Sequence, residues 1–155
     1  MTLGEYLTEE TISLNLEAET SSEVIRHLGN KLFDCGLVKE SFIEAAISRE
    51  QNLPTGLPLE DDLHVAIPHT DIEHVNKPGL AMATLSKPVV FQNMVDPSDS
   101  VNVSIVFLMA LDKPHAQIAM LQEIAGVIQD GELLKRLVKA QEARDVIREF
   151  TTIGK

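Results

Sequence analysis

His69 closes the segment Val65-Ala66-Ile67-Pro68-His69-Thr70, in which a short apolar run predicts a buried strand and a proline stops it. An imidazole at a strand end is well placed for chemistry, because open α/β sheets gather ligands where their strands finish. Its neutral form is a competent nucleophile near pH 7. The placement points to a reactive histidine, with a polar residue that merely opens a loop as the alternative. A second imidazole, His115, lies in Asp112-Lys113-Pro114-His115, between the most hydrophobic strand candidate and the most hydrophobic helix candidate. Proline suits a helix's first turn and Asp112 can cap it, so His115 falls in that turn, three residues before Ile118 and on or beside the buried face. Unpaired amides at a helix start attract anions, which suits a histidine beside a phosphate; a histidine bonded to its own backbone fits the same place. Arg49 completes the set. Phe42, Ala46 and Arg49 fall at i, i+4 and i+7, so the arginine extends a core-facing stripe. Its charge cannot be shed, and an inward arginine needs an anionic partner. Asp61, Asp62 or another carboxylate would serve, as would a phosphoryl group held between two histidines.

The elements that must position these groups follow from periodicity. Residues 11–16 alternate Ile12, Leu14 and Leu16 with polar neighbours, the pattern of a strand with one buried face. Thr20-Ser21-Ser22-Glu23 reads as a capping box, and Val24, Ile25, Leu28 and Leu32 form the stripe of a helix that ends at Gly36. A second helix carries Phe42, Ile43, Ala46 and Ile47 and runs out where Pro54, Gly56 and Pro58 force a loop. Strand candidates follow at 64–67, 80–85 and 101–111, with a short extra piece at 89–91. The last third is helical: 114–129 is apolar on most sides, Asp130-Gly131 is a break, and Leu133, Leu134, Leu137, Val138 and then Ala143, Val146, Ile147, Phe150 form two further stripes. Helices around a strand-rich middle predict an α/β fold, a mixed, mostly parallel sheet flanked by helices on both sides. Residues 1–155 are expected to form a single layered domain, with no internal repeat or interdomain linker.

Composition narrows the chemistry. The 13 basic residues against 24 acidic give a net charge of −11, and no basic run exists to hold a nucleic acid. The longest apolar stretch, 103–111, contains Ser104 and is under half of the roughly 20 residues a membrane helix needs. The N-terminus, Met1-Thr2-Leu3-Gly4-Glu5, lacks the basic and apolar regions of a signal peptide, so a soluble, cytoplasmic protein without direct membrane insertion is expected. Cys35 alone forms no intramolecular disulfide and no Cys-x-x-Cys motif; it continues its helix's stripe and reads as packing. Walker, dinucleotide, His-Glu-x-x-His and Gly-x-Ser-x-Gly motifs are missing from the sequence. His64, His69 and His74 lie five apart, but an odd separation in an extended segment sends the first two to opposite faces, against a shared metal unless Pro68 turns the chain. His27 and His74 read as helix-flank and loop residues.

Arg49-Glu50-Gln51, Pro54-Thr55-Gly56, Val65-Ala66-Ile67-Pro68-His69 and then His115 ahead of an apolar helix together resemble the IIA domains of the fructose/mannitol class of the bacterial phosphoenolpyruvate-dependent sugar phosphotransferase system. The resemblance covers nearly the whole chain. It implies that His69 accepts a phosphoryl group from the phosphocarrier protein HPr and passes it to a cysteine or histidine of a IIB component, and through it to the IIC permease. It also implies that Arg49 and His115 line the same pocket, with no metal, nucleotide or other cofactor at the site. Fructose, mannitol and nitrogen-regulatory members carry glycine after the reactive histidine and a Gly-rich stretch before it. Here Thr70 follows and Leu57-Pro58-Leu59-Glu60-Asp61-Asp62 precedes, a pattern closer to the galactitol-type branch.

The implied chemistry is an in-line attack by neutral His69 on phosphorus, with Arg49 as a bidentate donor and His115 as a hydrogen-bond donor to phosphoryl oxygens. Two partners must reach one imidazole in turn, so a shallow site is expected, rimmed by apolar residues from the 53–59 loop and the 109–113 edge. With the chain ending at Lys155, a stand-alone IIA component is expected. Two alternatives are a IIA-like regulatory phosphoprotein that acts by binding another protein, and a histidine-dependent hydrolase using His69, His115 and a carboxylate such as Asp71.

Overall fold

Strand β5, Ser100–Ala110, shows why the middle of the chain is so apolar. Ile105, Phe107 and Met109 enter one core while Val106, Leu108 and Ala110 enter another, so from Ile105 onward both faces of the strand are buried. A strand covered on both sides loses the polar alternation of a half-exposed one. The computed structural model describes residues 3–59 and 62–153. In it β1 (Ile12–Leu16), β2 (Gly56–Leu57), β3 (His64–Ala66) and β4 (Gly79–Gln92) join β5 in one sheet of order β1-β4-β5-β3-β2. The sheet is mixed, as expected. Its parallel ladders, β1 with β4 and β3 with β5, are matched by two antiparallel ones, so parallel pairing is half of the total and not most of it.

Helices α2 (Ser21–Asp34) and α3 (Ser41–Asn52) cover the face on which the strands present Ala66, Ala81, Ala83 and Ala110. On the other face lie α4 (Pro114–Ile128), α5 (Gly131–Lys139) and α6 (Ala143–Ile153), with the short α1 (Leu3–Tyr6) against α4 and α6. There the strands present the bulkier Leu80, Met82, Ile105, Phe107 and Met109, and Phe107 meets Phe150 edge-on at 6.1 Å between ring centres. The start of α2 follows its capping residues closely. Thr20 Oγ1 accepts from Glu23 N at 3.2 Å, while the Glu23 carboxylate accepts from Glu19 N, one residue further back than the reciprocal box predicts. Gly36 ends it with φ 75°, and Leu37 N donates to Leu32 O at 3.0 Å. Cys35 stands exposed in this turn, off the buried stripe on which the sequence placed it.

Two boundaries differ from the expected ones for physical reasons. Residues 80–85 and 89–91 are not separate pieces: β4 runs unbroken through them, with its register shifted between Thr84 and Val89. Pro88 sits in that bulge, where a missing N–H leaves no ladder bond unmade. At α4 the N-cap is Lys113 and not Asp112, and no side chain caps the helix.

Strand β2 is only two residues long, yet it ties β3 to the end of β4. Gly56 bridges Asn93, and Met94 N donates to Gly56 O at 2.9 Å. A Cβ at Gly56 would lie 2.6 Å from the Gln92 carbonyl oxygen, a backbone atom that cannot swing away. Gly56→Ala is therefore expected to destabilise the protein by about 1–3 kcal/mol, read as a lower urea midpoint with an unchanged slope. An unchanged midpoint would show that β2 can lift off without loss.

Candidate active site

β3 delivers His69 to the sheet's edge. The strand stops at Ala66, and Ile67 and Pro68 carry the chain to the imidazole, whose Nδ1 lies 3.0 Å from the Ile67 carbonyl oxygen. A carbonyl can only accept, so Nδ1 carries the proton and the neutral ring keeps its lone pair on Nε2. Burial, above all, holds the His69 pKa below the ordinary histidine value. The Ile67 carbonyl pulls it back up, Arg49 pushes it down and Asp71 raises it again. The balance favours an uncharged imidazole at neutral pH.

Arg49, in the last turn of α3, lines the same pocket of about 250 Å³ as His69, together with Asn52, Leu53, Pro54, Thr55, Met94 and Pro97. Its anionic partner is not Asp62, and Asp61 lies outside the described residues. The partner is Asp71, with Nη1 to Oδ1 at 3.5 Å, a loose pair whose carboxylate is largely exposed. Arg49 Nε is buried and meets no acceptor among the described residues. A charge-bearing donor thus stands beside the imidazole with hydrogen-bonding capacity to spare.

His115 is placed differently from the expectation. It is exposed at the second position of α4, not on the buried face, and it is not among the residues lining the His69 pocket. α4 nevertheless starts beside the His69 segment: Gln117 Nε2 donates to Thr70 O at 3.4 Å, and Met109 N donates to Pro68 O at 3.1 Å. The other histidines have separate partners. His64 Nδ1 accepts from Leu59 N, His74 Nδ1 meets Ser41 Oγ, and His27 Nε2 meets Ser13 Oγ.

The sequence pattern of the phosphoenolpyruvate-dependent sugar phosphotransferase system EIIA 2 family matches residues 5–152. The chain belongs to that family. The galactitol-specific EIIA component of Escherichia coli strain K12 is 30% identical over 131 residues, which span 84% of this chain and 85% of that one. The mannitol-specific EIICBA component of Buchnera aphidicola is 28% identical over 145 residues, 94% of this chain but 22% of that longer protein. Among solved structures, the crystal structure of IIA mannitol from Escherichia coli superposes with a TM-score of 0.75 at 25% identity, covering 93% of this chain and 98% of that one. The complex of enzyme IIAMtl with phosphorylated IIBMtl from the same organism gives 0.76 at 24% identity, covering 94% and 97%.

Within this EIIA 2 chain, two features of the pocket escaped the sequence. The far wall is the turn after β4, not the 109–113 edge, where Met109 and Leu111 are buried. Asn93 builds that turn, its Oδ1 accepting from Val95 N at 2.8 Å. The second is Glu50, buried directly after Arg49 and bonded to Thr55 through both carboxylate oxygens. Ile43, Ile47 and Glu50 repeat the i, i+4, i+7 spacing that singled out Arg49, so the signal was present.

Proposed function

We propose that this IIA chain, acting as one unit over residues 1–155, accepts a phosphoryl group from phospho-HPr on His69 Nε2 and passes it to a cysteine or histidine of a IIB component. Uptake of a galactitol-like sugar through the IIC permease is the process served. The observation that carries the reading is the pairing of His69 Nδ1 with the Ile67 carbonyl beside Arg49, whose Nε has no acceptor among the described residues. The nucleophilic nitrogen is thereby fixed and a phosphoryl-oxygen donor stands ready. In the accepting step the lone pair on His69 Nε2 forms a bond to phosphorus as the donor's P–N bond breaks, and the donor imidazole leaves with that electron pair. Arg49 stabilises the phosphoryl oxygens through charge-assisted hydrogen bonds.

The surroundings suit brief contact with two partners. Leu53, 58% exposed, and Met94, 39% exposed, give the pocket an apolar rim, and Val95 beside Met94 is 87% exposed. The solved complex of IIAMtl with phosphorylated IIBMtl, which shares this fold, supports a IIB partner. No helix among the described residues is long and apolar enough to cross a membrane, and the net charge of −11 disfavours nucleic acid. Incubation with labelled phosphoenolpyruvate, enzyme I and HPr tests the reading. Label is expected on one histidine in an acid-labile, alkali-stable linkage and should move onto IIB; no label on the chain would overturn it.

His115, exposed at the start of the helix that lies beside the His69 segment, enters this scheme by turning its side chain toward the phosphoryl group once it is attached. Loss of one hydrogen bond to a charged group costs about 1.5–3 kcal/mol, or about 10- to 150-fold in rate if all of it is expressed in the transition state. His115→Ala is expected to take label at His69 but to donate slowly to IIB in single-turnover transfer. Wild-type rates in both directions would make it a surface residue of the first helical turn, and label on His115 itself would reverse the two roles.

A further inference from the structure

Glu50 is buried with no cation paired to it among the described residues, an expensive place for a carboxylate. Burial pushes its pKa up to about 7 even though two hydrogen bonds from Thr55 pull the other way. An apolar side chain would fill the site at less cost, so its presence calls for a reason other than stability. The bonds supply one. Thr55 N donates to Glu50 Oε2 at 2.8 Å and Thr55 Oγ1 donates to Oε1 at 2.7 Å. With its proton committed to Glu50, Thr55 Oγ1 is left as an acceptor, and Ile67 N donates to it at 3.2 Å, sharing its hydrogen with Thr55 O at 3.3 Å. Ile67 lies just past the end of β3. Its carbonyl is the group that accepts the His69 Nδ1 proton at 3.0 Å.

We infer that Glu50 is a positioning residue that locks Thr55 to the end of β3, and so holds the His69 ring and the adjacent Arg49 in one transfer geometry. The chain Glu50–Thr55–Ile67–His69 joins the helix that carries the arginine to the end of the strand that leads to the nucleophile, alongside the looser Arg49–Asp71 pair. Only an acceptor with two free oxygens satisfies both Thr55 donors while leaving its hydroxyl oxygen free to accept. A glutamine has one oxygen; its amide would donate to Thr55 Oγ1, compete there with Ile67 N and leave the hydroxyl proton without the acceptor that now fixes it. The inference rests on His69 being the phosphoryl acceptor, as proposed above.

The test uses Glu50→Gln with Thr55→Val and the conservative Thr55→Ser, read by imidazole nitrogen spectra and by single-turnover transfer from phospho-HPr. Wild type and Thr55→Ser should show His69 with its proton on Nδ1. Glu50→Gln and Thr55→Val should show a mixture of the two tautomers and slow acceptance by between about tenfold and about 100-fold, the effect of a small misplacement of reacting groups. Thermal stability of Glu50→Gln at neutral pH should be unchanged or higher, since a buried and partly ionised carboxylate has been removed. Wild-type spectra and rates in Glu50→Gln would overturn the inference. The spectra are recorded on unphosphorylated protein, so they decide Glu50's hold on His69 even where wild type takes no phosphoryl group, the outcome that would sink the relay instead.

Discussion

His69→Ala is expected to take no label from phosphoenolpyruvate through enzyme I and HPr while keeping the wild-type fold. The imidazole lies beyond the end of β3 and makes one hydrogen bond, to the Ile67 carbonyl, so its removal takes little from the core. Losing a single bond of this kind costs about 0.5–1.5 kcal/mol, a small share of a domain's stability. Transfer, by contrast, loses the atom to which phosphorus bonds. His69→Gln serves as the control, because its amide can still donate to a carbonyl but offers no nucleophilic nitrogen. Rate should also follow protonation. Burial holds the folded-state pKa of His69 below the ordinary value, so acceptance should stay level as pH falls through the usual histidine range and decline only below it. The same sign applies to stability: a depressed pKa favours the folded state above the ordinary value and disfavours it as pH drops through the folded-state value. Full labelling of His69→Ala, or a chain that unfolds without the imidazole, would remove His69 from the role.

Much of this site was legible because strong local rules act on it. Pro68 ends a buried strand wherever that strand lies in the sheet, so the exit of His69 at a strand end needs only the sequence. Arg49 follows from helical period alone. Its partner did not, since Asp71 approaches from a separate loop and nothing in the spacing of either residue records that approach. The split of 80–85 from 89–91 failed for the opposite reason: Ser86-Lys87-Pro88 breaks the apolar run, but a bulge at the same place carries β4 through it. The wall formed by Met94 and Pro97 depends on how far β4 and β5 extend together as a hairpin, a tertiary property. His115 was misplaced by a local error. The sequence set it on the face of Ile118, but Ile118 is exposed and Met120, Ile124 and Val127 carry the buried stripe of α4, so the imidazole faces outward.

Arg49→Ala is expected to slow transfer in both directions by about 10²- to 10³-fold, the effect of removing one preorganised donor from developing charge. Stability should hardly change. The ion pair with Asp71 is loose at 3.5 Å and its carboxylate is 68% exposed, so it contributes about 0–1 kcal/mol, a shift of no more than about 4 °C in Tm for a chain of this size. The buried Nε, without an acceptor among the described residues, is if anything a burden to the resting protein. Arg49→Lys is the sharper variant. It keeps the positive charge, so a purely electrostatic role would be rescued, but it lacks the Nε–H and the planar fork. We expect it to restore only part of the rate. Equal rates for lysine and arginine would reduce the residue to a point charge. A collapse of Tm in Arg49→Ala, with normal transfer by the fraction that remains folded, would instead make the pair with Asp71 structural and leave His69 to act without it.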